Sequence, residues 1–136
     1  MAVIEKANPR GKIGGSLRAA VLAAGQRWAS GQRELVRLVR ELDASGEWAA
    51  DGEPSCAHWV AAALDIELST AREWLRIGRA LVELDVIAGA FEQGRLSYSK
   101  VRALTRVATV ESQAELCRLA ESVPAERLAL DRKSVV

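Results

Sequence analysis

The chain has 136 residues, 49% of them hydrophobic but only 4% aromatic, and its 19 basic and 18 acidic side chains leave a net charge of +1. That length suits one modest core, and the near-neutral total argues neither for nor against nucleic acid. Two distant cysteines, Cys56 and Cys117, exclude a disulfide framework or a metal knuckle, and no run approaches the roughly 18 apolar residues that span a membrane.

In chain order, residues 1–15 read as a flexible arm, because Asn8-Pro9, Gly11, Gly14 and Gly15 all disfavour regular structure. The arm lacks the apolar run of a secretory signal, so a cytoplasmic location is expected. Its GKIGGS stretch lacks the spacing and the preceding strand of a phosphate-binding loop. Ser16 is read as the cap of a long helix on which Leu17, Ala20, Val21, Ala24 and Trp28 recur at three- and four-residue steps. Leu35, Leu38, Val39 and Leu42 continue the stripe after a kink expected at Ser30-Gly31, and Gly46 suits a left-handed stop. Residues 1–40 carry eight basic and two acidic side chains, whereas residues 41–68 carry seven acidic and none basic. Residues 69–106 carry seven basic and four acidic ones, so the surface is read either as two basic regions separated by an acidic one or as an ordinary mixed surface.

An acidic loop with Trp48, Gly52 and Pro54 follows, and Ser55 opens a short helix to about Leu64. Further helices are predicted from about Ser69 to Val82, from an Asp85 cap to Gly94, from a Ser97 cap to about Ala108, and from Thr109 to near Ser122. Pro124 fits the first turn of a last helix, cut short by ALDRKSVV. No strand pattern occurs, and a core rich in Ala and Leu favours helices. The fold class is all-α: a long N-terminal helix, then a multi-helix bundle. Residues 16–122 form one domain, and residues 123–136 form a truncated tail.

The stretch AHWVAAALDIELSTAREWLRIGRAL, residues 57–81, has the pattern of a helix-turn-helix. Val60, Ala61 and Leu64 supply the inner face of the first helix, Ile66 the turn, and Ala71 and Trp74 the second helix. Asp65 stands where glycine is preferred, although Asp tolerates the left-handed conformation better than most residues. Arg72, Arg76 and Arg79 share one face of the second helix, where arginine can contact phosphates or guanine edges. Glu67 and Glu73 lie close by and are expected to repel phosphate. A second basic helix, GRLSYSKVRALTRVA, carries Lys100, Arg102 and Arg106 opposite an inner face of Val101, Leu104 and Val107, with Arg95 just before it. The alternative is a generic helical hairpin with a solvated arginine stripe.

Residues 17–122 resemble the actinobacterial domain-of-unknown-function family numbered two-two-two, called the thirteen-E-twelve repeat family in mycobacteria. The motifs TAREWLR-x-x-RAL and G-x-LSYSKVRALTRVA carry the resemblance. The order of the helices is also distantly similar to the DNA-binding domain of the ParB and KorB partition proteins. The first resemblance implies association with HNH endonucleases, since many members carry that module C-terminally. Its chemistry needs a histidine base, an asparagine and a further metal ligand, whereas this sequence has one histidine, His58, one asparagine, Asn8, and no CxxC. A truncated or split member is expected.

His58 is read as a capping or packing residue, both cysteines as small core residues, and Trp28, Trp48, Trp59 and Trp74 as core anchors. The leading expectation is a non-catalytic module that binds double-stranded DNA through Arg72, Arg76, Arg79, Arg95, Lys100, Arg102 and Arg106, with no cofactor or metal. Lys6, Arg10, Lys12 and Arg18 could add phosphate contacts. The alternatives are a protein-interaction module, which dimerises or docks a nuclease-bearing relative through the helix at 17–42, and a non-functional remnant.

Overall fold

The computed structural model describes residues 10–128, and every regular element among them is helical. Helix α1 (Arg10–Ser45) is followed by a 3₁₀ helix (Glu47–Asp51), then α2 (Cys56–Leu64), α3 (Leu68–Glu83), α4 (Asp85–Glu92), α5 (Tyr98–Leu104) and α6 (Gln113–Glu121). A last helical turn covers residues 125–128 just after Pro124. The chain divides into two compact units, Met1–Gly31 and Gln32–Val136. The division falls at Gly31, where the sequence suggests a kink, and α1 runs through Ser30-Gly31 without a break.

Several sequence expectations are corrected here. The long helix begins at Arg10, not at the Ser16 cap, so residues 10–15 of the expected arm are helical. Residues 1–9 and 129–136 lie outside the described part of the chain. The acidic loop holds a 3₁₀ helix bracketed by Gly46 and Gly52, both left-handed at φ 74° and 83°. In the first unit, the apolar stripe of α1 is not core: every described side chain from residue 15 to residue 28 is exposed, Trp28 included. Of the four tryptophans, only Trp74 is fully buried, while Trp48 and Trp59 are half-buried at the edge of the core.

The second unit holds the core. Val36 and Val39 of α1 join Cys56, Ala57 and Val60 of α2, Ala71, Trp74, Leu75, Ile77 and Leu81 of α3, and Ile87, Ala90 and Phe91 of α4. Leu96, Val101, Leu104, Cys117 and Ala120 close it from the C-terminal side. Gly78 allows α1 to approach α3, because a Cβ there would lie 3.1 Å from Cβ of Arg40. Both cysteines are free and buried, and burial is the main cause that pushes their thiols above the ordinary range.

Helix starts follow two patterns. Ser55 and Ser97 cap α2 and α5 as expected, accepting from the backbone N–H of His58 and Lys100 at 3.2 Å each. Asp85, by contrast, does not cap α4. Leu84 holds the cap position, and the exposed N–H groups are served from another helix. Gln113 of α6, only 3% exposed, accepts from the N–H of Val86 at 2.9 Å and of Ile87 at 3.3 Å through Oε1. Its Nε2 donates to Asp85 Oδ1 at 3.0 Å. One buried amide thus satisfies two orphan donors, and α6 is fastened to the start of α4.

Candidate nucleic-acid interface

Helices α2 and α3 are joined by Asp65, Ile66 and Glu67. Asp65 adopts φ 57° and ψ 51°, the left-handed conformation that its short polar side chain tolerates. Among the described residues it is the only non-glycine with positive φ. Val60, Ala71 and Trp74 are buried, and Ile66 packs against the core. Leu64, expected on the inner face, is instead 45% exposed. It occupies the last turn of α2, just before the left-handed residue that redirects the chain.

Helix α3 brings Arg72, Arg76 and Arg79 along one open groove of about 500 Å³, whose other walls are Ser55, Ala57, His58 and Leu75. His58 is fixed at the start of α2, with Nδ1 2.7 Å from Oγ of Ser55, the residue that caps the helix. The three arginines have different surroundings. Arg72 is exposed, and among the described residues no carboxylate pairs with it. Arg79 donates two hydrogen bonds to Asp43, at 2.9 and 3.1 Å, tying α3 to the last turns of α1. Arg76 is half-buried and binds both oxygens of Glu73, at 3.0 and 2.8 Å.

Glu73 also gathers arginines from α5 and from the turn that follows it. Its Oε2 accepts from Arg102 Nε at 3.0 Å and from Arg106 Nη2 at 2.9 Å. Arg76 adds a hydrogen bond to the carbonyl of Arg102 at 3.3 Å. The carboxylate lies underneath with 17% side-chain exposure, against 31%, 55% and 40% for Arg76, Arg102 and Arg106. The hydrogen bonds from Arg76, then those from Arg102, lower the Glu73 pKa to about 2 despite burial acting the other way. Three cations over one anion leave two positive charges in excess at the surface. Glu73, expected to repel phosphate, is thus held in ion pairs with three arginines and positions their guanidinium groups. Glu67 enters no ion pair among the described residues.

The remaining two basic residues hold the scaffold together. Arg95 pairs with Glu121 and also donates to Gln93 at 2.9 Å. Lys100 Nζ donates to the carbonyl of Ala120 at 2.7 Å, at the C-terminal end of α6, where unpaired carbonyls favour a cation. The sequence puts Arg72, Arg76 and Arg79 on one face, and they line one groove, but the convergence of Arg76, Arg102 and Arg106 on Glu73 is not among its expectations. The local signal was the three-residue step from Glu73 to Arg76; the reach to Arg102 and Arg106 is tertiary.

The described residues contain no group of three or more His, Cys, Asp and Glu side chains placed to hold a metal ion. No described helix is long and apolar enough to cross a membrane. The family model described as "Domain of unknown function (DUF222)" matches residues 17–133. No curated protein and no solved structure matches the chain.

Proposed function

The chain belongs to the DUF222 family, and from that premise we propose that its α3–α5 arginine face binds the phosphate backbone of double-stranded DNA, in a module that carries no chemistry of its own. The observation behind this reading is the shared carboxylate: Arg76, Arg102 and Arg106 converge on Glu73 with charge left over. Cations already held in place lose little side-chain freedom when a polyanion arrives. Arg72, which no carboxylate among the described residues pairs with, lies on the adjacent groove wall and extends the same face.

This reading narrows the seven residues expected from the sequence to Arg72, Arg76, Arg102 and Arg106. Arg79 and Lys100 are engaged in bonds that fasten one helix to another, and Arg95 ties the connection before α5 to α6. It also favours backbone contact over base reading. Base recognition by arginine uses a free two-pronged edge against guanine, and on Arg76, Arg102 and Arg106 part of that edge already faces Glu73. The short turn at Asp65 supports a helix-turn-helix-like presentation of α3. Within this proposal the module works beside an HNH nuclease, as the family resemblance implies.

The test is anisotropy with a random-sequence duplex over a salt series. Log affinity should fall with log salt by about 0.9 for each phosphate engaged. Replacing Arg72 and Arg102 with Ala should weaken binding to all sequences alike and reduce that slope by about one to two. Salt-independent binding, or none at about 50 mM salt, would overturn the proposal.

A further inference from the structure

The first unit presents a surface that the arginine face does not involve. On α1, Leu17, Val21, Ala24 and Trp28 follow one another at steps of four, three and four residues. That alternation is the seam of a helix that packs along a second helix. Here the seam is bare: Leu17 is 64%, Val21 70% and Trp28 68% exposed. Four positions flank it: Ala20 and Gly25 are small and let another helix approach at about 8–10 Å, and Arg18 and Arg27 carry charge along its margins.

Charge identifies the occupant. Between Leu17 and Trp28 the charged residues are Arg18 and Arg27, both exposed, and none is acidic. A second copy of the same stretch would bring like charges together at a spacing close to the Debye length of about 10 Å at 0.1 M salt, where screening is incomplete. A partner rich in Asp and Glu meets the opposite condition. We propose that the Leu17–Val21–Ala24–Trp28 row is a docking face for an acidic amphipathic helix of another protein. That helix would bring apolar residues at heptad spacing and carboxylates along the margins of its seam. Coupled burial of Trp28, Val21 and Leu17 supplies affinity, and the charges select the partner and speed encounter.

The experiment titrates the full chain into a fluorescein-labelled synthetic heptad peptide with Leu at both seam positions and Glu at the flanking ones, read by anisotropy. A matched peptide with Lys at the flanking positions is the comparison. The acidic peptide should bind saturably and at least about tenfold more tightly than the basic one. The double variant Val21→Ser, Trp28→Ser should lose about tenfold or more in affinity without a change in melting temperature, since neither side chain is in the core. The variant Arg72→Ala, Arg102→Ala should bind the peptide like the parent, which separates this proposal from the DNA reading. Equal binding of the two peptides, or an unaffected Val21→Ser, Trp28→Ser variant, would overturn it. So would a dimer in sedimentation that the double variant dissociates, which would assign the face to a second copy. Binding of phosphatidylserine vesicles in place of the peptide, lost in the same variant, would assign it to a lipid surface.

Discussion

One helix carries two apolar stretches with opposite environments. Residues 17–28 of α1 and residues 35–42 have the same three- and four-residue spacing, yet Val21 is 70% exposed and Val36 only 2%. Val36 and Val39 are buried in the core, and α1 meets α3 beside Val36 at Gly78, where a glycine removes the side chain that would hold the helices apart. Periodicity describes a face that is able to pack. Whether it does pack depends on which elements of the chain reach it.

The largest expected effect tests that contrast directly. Val36→Asp places a carboxylate in the core without a partner and should cost about 3 kcal/mol or more of unfolding free energy, or prevent folding. Val21→Asp, the same change on the bare stretch, should stay within about 0.5 kcal/mol. Urea denaturation of both variants compares them on one scale; equal losses would mean that the first stretch is covered in solution.

A buried polar group gives the next effect. Gln113→Ala strips the N–H groups of Val86 and Ile87 of their acceptor inside the protein, at a cost of about 1–3 kcal/mol. Hydrogen exchange should speed up first at those two amides. Unchanged exchange there would show that α4 is capped by other means. This penalty should fall below that of Val36→Asp, since a neutral donor is cheaper to strand than a charge.

The smallest effect is electrostatic. Glu73 titrates at about 2 in the folded protein, below the unfolded carboxylate value of about 4.3. Its ion pairs therefore contribute fully above the unfolded value, and that contribution is lost as pH falls from about 4.3 through about 2. Because its three partners are partly solvated, the loss should be on the order of 1 kcal/mol. Glu73→Gln should flatten this part of the stability profile. An identical acid profile in parent and variant would remove the carboxylate from its organising role.

Much of the site was legible residue by residue. Arginine at steps of four and three along α3 requires one shared face once the helix is granted, and all three side chains do line one groove. Ser55 and Ser97 announce helix starts because a cap bonds an N–H three residues away, within the reach of local sequence. Asp85 misled because the same residue type is also common in a first helical turn, where the acceptor can come from elsewhere. The role of Glu73 was hidden for a related reason. Two of its three partners lie 29 and 33 residues along the chain.

What the amino-acid sequence alone determined is local: the all-helical class, the caps at Ser55 and Ser97, the left-handed stops at Gly46 and Asp65, and the family. Each of these depends on interactions within about one helical turn, or on an apolar period read along one element. Only the tertiary structure decided which apolar face of α1 is covered, which cations remain available, and that Gln113 completes the start of α4. Those outcomes depend on where distant segments meet, and the free energy of a side chain is set by its neighbours in space rather than by its neighbours in sequence.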